Sequence, residues 1–228
     1  MLVFSPELCY DEKKHLPTGG TNMELQEIYE RMHSGRLYLC DSQELADEQL
    51  KHLDMLFEYN QLRPSQQKEK GELLQKMFAH MGKNCYIETP FHANWGGKFC
   101  SFGDQVYANF NLTLVDDAPI TVGNSVMFGP NVVLCTATHP VSPDMREKVA
   151  QYNLPISIGN NVWIGANCIV MPGVSIGDNS VIGAGSIVTK DIPADVVAYG
   201  TPCRIMRPIS EDDKKYYRKG MEIRPEEL

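Results

Sequence analysis

Hydrophobic residues return along the second half of the chain with a period of six. From Ile158, an aliphatic side chain recurs at Ile164, Val170, Ile176, Ile182 and Val188, with Gly159, Gly165, Gly177 and Gly183 beside four of these positions. A small or β-branched residue sits four places further on, at Val162, Cys168, Val174, Ser180 and Ser186. This is neither the period of an amphipathic helix nor the alternation of a half-buried strand. Repeated hexads mark a parallel β-helix, in which each hexad supplies a short strand and a turn and three hexads close one triangular coil. The aliphatic residue is expected to point inward and stack on its counterpart one coil away. The glycine beside it is expected to permit a tight corner where a Cβ would clash. Val122, Phe128 and Leu134 lie on the same ruler; Phe102, Ala108 and Leu114 keep the spacing but with a two-residue slip before Val122. Between His139 and Ser157 the pattern fails, in the polar, proline-bearing stretch HPVSPDMREKVAQYNLPIS. That break predicts a loop, 140–157, thrown out from one corner of the coil, and loops on a rigid scaffold are where function gathers.

Upstream the periodicity becomes helical. A short helix is expected over 22–33, with Leu25, Ile28, Tyr29 and Met32 on one side and Gly35 as its stop. A second starts at an N-cap supplied by Asp41 or Ser42 and carries the apolar stripe Leu45, Leu50, Leu53 and Phe57. A third is expected from Ser65 to about Met81, with Leu73, Leu74, Met77, Phe78 and Met81 inward and Gly82 closing it. Helices this short cannot build a large core of their own, so they are expected to cap the first coil, whose end a solenoid must cover. The chain thus divides into an irregular extension (1–21), a helical cap (22–82), a β-helix (83–210) and a charged, helical or disordered tail (211–228), with IPADVVAYGTPCRIMRPI as a final strand pair.

Composition narrows the partners. The 228 residues carry a net charge of −8, which argues against nucleic acid or an anionic membrane as main partner; an anionic ligand would need a local basic pocket. No apolar run approaches the ~20 residues of a spanning helix. The seven cysteines are scattered without a C-x-x-C pair, as expected of reduced thiols in a cytoplasmic protein.

Among six histidines, His15, His33, His52 and His80 fall in the extension or on helices and are expected at the surface. His139 ends the run VVLCTATH where the coil breaks into the loop. An imidazole there could remove a proton near neutral pH, or could be structural. Lys190, Arg204 and Arg207 are either solvated charges or the cations of a phosphate-bearing ligand laid along one edge of the prism. Asp116 and Asp117 sit at the slip and could orient a sugar hydroxyl or fill a turn. Asn94 beside Trp95 could form a carbohydrate platform. A β-helix metal hydratase is a rival from another class, but zinc hydration commonly uses three histidines, and the β region offers His92 and His139. A non-catalytic scaffold is the third reading.

The segments YANFNLTLVDDAPITVG, ATHPV, PISIGNNVWIGANCIVMPGVSIGDNSVIGAGSIVTKDIP and GTPCRIMR, together with the helical cap, resemble the maltose and galactoside O-acetyltransferases over about residues 22–210. The resemblance implies a left-handed parallel β-helix, acetyl-CoA as co-substrate, no required metal, a sugar acceptor, and a homotrimer with its active sites between subunits. By position it implies His139 as general base and Asn109, Ala166, Ala184, Thr189, Lys190, Arg204, Arg207 and Trp163 along acetyl-CoA. Asp117, Asn94 and Asp41 are implied on the acceptor side, Asp41 with a helix-capping reading of equal weight. Related β-helix enzymes share the histidine and CoA features, so an antibiotic is the alternative acceptor.

Overall fold

The computed structural model describes residues 25–39 and 42–227; the extension 1–21 and Asp41 lie outside them. Three parallel sheets form the walls of a prism. The first wall stacks His80–Met81, Cys100–Phe102, Ile120–Val122, Ile156–Ile158 and Ser175–Ile176. The second stacks Tyr86–Ile87, Tyr107–Ala108, Met127–Phe128, Trp163–Ile164, Val181–Ile182 and Val196–Tyr199, and Arg204–Pro208 closes it in the antiparallel sense. The third stacks His92–Ala93, Thr113–Val115, Val133–Cys135, Ile169–Val170 and Ile187–Val188.

The register follows the hexads. Ile158 pairs with Ile176, Ile164 with Ile182 and Val170 with Val188, and all six are buried. Upstream, Phe102 pairs with Val122, and the extra residues of this longer coil bulge at the corner that holds Asp116 and Asp117. The phenylalanines stack as the aliphatics do, Phe102 on Phe128 at 6.1 Å between centroids.

At the repeat glycines a Cβ would clash, as expected, but the clash is with the neighbouring coil and not within the turn. Gly123, Gly129, Gly159, Gly165 and Gly177 do not have positive φ; the left-handed residue of the turn comes two places later, at Ser125, Asn131, Asn161, Asn167 and Asn179. What excludes a side chain at the glycines is the next coil. A Cβ on Gly177 would lie 2.4 Å from the Ala194 nitrogen, and one on Gly129 2.6 Å from that of Ala166. The asparagines, which tolerate the left-handed region because their side chains bond locally, are themselves linked. Asn111 donates to Asn131 and Asn131 to Asn167, at 2.8 and 3.0 Å, and a second ladder runs from Asn161 to Asn179 to Asp195.

Helices α1 (Leu25–His33), α2 (Gln43–Gln61) and α3 (Gln67–Met77) precede the coils. The last two close the open end as expected. Leu56, Tyr59, Leu74, Met77 and Phe78 join the same core as the coil residues. Their polar side chains also satisfy backbone groups that the first coil would otherwise leave unpaired. Tyr59 donates to the Ile87 carbonyl at 2.6 Å, and Asn60 donates to the carbonyl of Phe91 while accepting from its N–H.

Several local expectations are decided between alternatives or corrected. Ser42 caps α2, accepting from the Leu45 N–H. Leu50 and Phe57 face outward, 54% and 66% exposed, because only one side of α2 meets the coil. The third helix ends at Met77, since Phe78 turns into the core and His80–Met81 already forms the first strand. His33 and His52 are half-buried in the cap, where burial lowers the pKa of each. The tail is folded, with a short helix, Glu211–Lys215, and a hairpin pairing Tyr216–Arg218 with Met221–Glu222. No helix among the described residues is long and apolar enough to cross a membrane.

Two glycine substitutions should therefore differ in sign. Gly177→Ala pushes a methyl into backbone and should cost about 1–3 kcal/mol. Gly71→Ala, inside α3 with nothing within 4 Å of the new carbon, should stabilise by about 0.5–1 kcal/mol. Denaturant melts of the two variants check this; equal effects would contradict it.

Candidate active site

The loop expected after the third wall carries structure of its own. Ala137–Thr138 runs antiparallel to Ala150–Asn153, and that strand pairs on its other edge with Tyr38–Leu39 from the cap. A short helix, Pro143–Glu147, fills the excursion between them. His139 follows the first of these strands at the exposed rim. Its Nδ1 lies 2.9 Å from the Ala150 carbonyl oxygen. A carbonyl can only accept, so in the neutral ring Nδ1 carries the hydrogen and the Nε2 lone pair is left for another proton.

Beneath this rim is a buried polar cluster at the same corner. Asp117, 4% exposed, accepts from Asn94 Nδ2 at 2.9 and 3.0 Å, from Gln151 Nε2 at 3.2 Å and from Trp95 Nε1 at 3.4 Å. Asp116 accepts from the backbone N–H groups of Trp95 and Gly97 at 2.7 and 3.0 Å. Burial raises the pKa of both acids, that of Asp116 to about 7, with the charge of Asp117 adding to its shift and the backbone hydrogen bonds opposing it. The structure thus brings Asn94 and Asp117 together. It withdraws Trp95 from any platform role, since that ring is 2% exposed and packs on Tyr29 and Phe99. Asp41 lies outside the described residues.

The residues expected along acetyl-CoA fall on two corners. Thr189 and Lys190 follow the third wall, on the corner from which the His139 loop also leaves. Asn109, Ala166 and Ala184 follow the second wall and stack on the next corner round, where Asn109 donates to Phe128 and Gly185 to Ala166. Trp163 stands outward on the second wall between Met127 and Val181, 51% exposed. Arg204 is exposed at the end of the same wall. Neither Lys190 nor Arg204 is paired to a carboxylate among the described residues, whereas Arg207 is held at two nitrogens by Asp213, at 2.6 and 2.8 Å. That partner lies in the tail and was not legible from the hexads.

Tyr38, Gln151 and Asn153 were missed. They lie where no periodicity operates: Gln151 and Asn153 in the broken repeat, Tyr38 between two helices of the cap. Among the described residues no cluster of three or more His, Cys, Asp or Glu could hold a metal ion.

Comparison with known proteins matches residues 155–190 to the hexapeptide repeat of succinyl-transferase and residues 31–82 to the maltose acetyltransferase hexapeptide capping motif. A galactoside O-acetyltransferase of Lactococcus lactis subsp. lactis (strain IL1403) is 56% identical over 86% of this chain and 95% of its own length. A solved galactoside acetyltransferase in complex with coenzyme A superposes with a TM-score of 0.83 at 44% identity, covering 89% of this chain and all of that one. A hexapeptide-repeat acetyltransferase from Vibrio cholerae O1 biovar eltor, complexed with acetyl coenzyme A, gives 0.74 at 34% identity, covering 79% and 97%.

The stability of this corner should depend on pH. A carboxyl raised from 3.8 to about 7 contributes stability that is full below its unfolded pKa and is lost as pH rises through the folded one. Asp116→Asn removes that titration but not the two N–H groups. The wild-type advantage in melting temperature should therefore shrink between about pH 4 and about pH 8; an advantage that grows with pH would contradict the assignment.

Proposed function

Because the chain belongs to the galactoside O-acetyltransferase family of hexapeptide-repeat enzymes and is an acetyl-CoA-dependent O-acetyltransferase, we propose that it acetylates a hydroxyl of a galactoside or related sugar, with His139 as general base. The observation that carries this reading is the geometry of His139, which is exposed at the rim above the buried polar cluster with Nδ1 tied to a carbonyl and Nε2 available.

Acetyl-CoA supplies the acetyl group as an activated thioester. Nε2 takes the proton from the acceptor hydroxyl as its oxygen forms the new ester bond, and returns that proton to the sulfur as the carbon–sulfur bond breaks. Asn94 and Asp117 hold the acceptor. The Ala166 N–H stabilises the charge developing on the carbonyl oxygen, and the small side chains of Ala166 and Ala184 leave room for the pantetheine arm beside Trp163. Lys190 and Arg204 suit the phosphates.

The split of these residues over two corners supports an assembly as well as a reaction. On one chain the third wall separates Ala166 and Ala184 from His139 and Lys190. A ring of three copies would set one corner of each against the other corner of its neighbour, so that each site lies between subunits and proximity supplies much of the rate.

His139→Ala should lower kcat by roughly 10²–10⁴-fold, with acetyl-CoA binding little changed. Near-normal turnover would overturn the base assignment. Acetyl-CoA turnover measured across β-galactosides, maltose, glucose and antibiotics tests the acceptor class; activity with antibiotics alone would overturn the sugar reading. Sedimentation analysis should find a trimer, and a fully active monomer would contradict the shared site.

A further inference from the structure

We propose that Tyr38, delivered by the helical cap, is a positioning residue for the transfer: it fixes the strand that orients His139 and, through the same strand, the acid on the acceptor side. The proposal rests on His139 being the base. Tyr38 is 7% exposed, although its strand lies at the rim of the molecule. Its backbone pairs with the loop strand, Tyr38 opposite Gln151 and Leu39 opposite Ala150. Ala150 is the residue whose carbonyl holds His139 Nδ1, so the ring is tied to a backbone atom whose place depends on this pairing.

The phenol makes the same link with side chains. Its oxygen accepts from Gln151 Nε2 at 2.5 Å and from Asn153 Nδ2 at 2.9 Å. Both amides are themselves buried and also reach Asp117. Gln151 donates to its carboxylate at 3.2 Å, and Asn153 donates to its backbone carbonyl at 3.2 Å. The same Asn153 nitrogen lies 3.1 Å from the Met32 carbonyl, so its two hydrogens are shared among three acceptors and tie the strand to the end of α1. One phenolic oxygen from the cap therefore holds both amides of the strand that carries the base's carbonyl partner and reaches the acceptor acid. A buried amide left short of an acceptor bears a desolvation cost, and here the strand that would shift to relieve it carries the Ala150 carbonyl and bonds to Asp117.

Tyr38→Phe keeps the ring and deletes that oxygen. It should lower kcat about tenfold, the scale of one lost buried hydrogen bond, and leave the KM for acetyl-CoA unchanged. Gln151→Leu should do the same, and the pair combined should lose less than the product of the two. The deciding measurement is the cycle with the base. Introduced into His139→Ala, Tyr38→Phe should lose clearly less in kcat than it does in the wild type, because the ring is gone and only Asp117 remains to be oriented. A wild-type kcat in Tyr38→Phe, or an undiminished tenfold loss on top of His139→Ala, overturns the proposal. Failure of the underlying reading has a separate signature, near-normal turnover in His139→Ala alone. Melting temperature and acetyl-CoA binding of each variant establish that folded proteins are being compared.

Discussion

Where the first wall ends, at Gly82, Gly103, Gly123, Gly159 and Gly177, successive coils of this protein approach so closely that no side chain fits beside the stacked residue, and much of its architecture can be derived from that spacing. Each inward Ile or Val sits on its counterpart in the neighbouring coil, worth about 1.5–3 kcal/mol of buried side chain apiece, while the backbone pairs in parallel register outside it. A slip of one residue would turn every inward side chain out. Residues can therefore be added without disturbing the stack only at the corners, and the additions are found there: Asp116 and Asp117 with the residues around them, the Trp95–Phe99 turn, and the long excursion that begins beyond Cys135.

The chemistry inherits this rule. A wall of short strands is rigid but presents little beyond alternate side chains, whereas a corner insertion can fold back and pair with other elements. The excursion does so by becoming the middle strand of a small antiparallel sheet whose outer strand comes from the cap. The helical segment thus has two tasks, closing the open end of the coil stack and bracing the loop that carries His139. The imidazole is oriented by a neutral carbonyl. That contact selects the tautomer without placing a second charge against the ring, as a carboxylate would.

The solenoid was legible in the sequence because its period is set by backbone stacking, which every hexad must satisfy. Ile158 to Val188 could be placed inward, and the two-residue slip before Val122 located the corner of Asp116 and Asp117. That a Cβ would clash at the glycines was legible, but not that the clash comes from the next coil, because a single hexad carries no mark of the distance to its neighbour. Helix ends were placed less well, because Leu50 and Phe57 look apolar but face away from the coil. His139 stood out as the residue at the break. The residues that brace its loop did not, since Tyr38 and Gln151 are separated by the whole β-helix upstream of the loop and meet only through strand pairing. The Arg207–Asp213 pair was hidden in the same way, in a tail that carries no repeat.

The account depends most on which nitrogen of His139 is free. Multiple-bond NMR of the protein with nitrogen-labelled histidine, the His139 signals assigned by their loss in His139→Ala, reads the tautomer of the neutral ring directly. A hydrogen on Nδ1 and a bare Nε2 is the result the Ala150 contact requires. A hydrogen on Nε2 would mean that the ring is not held as described and cannot accept the proton there.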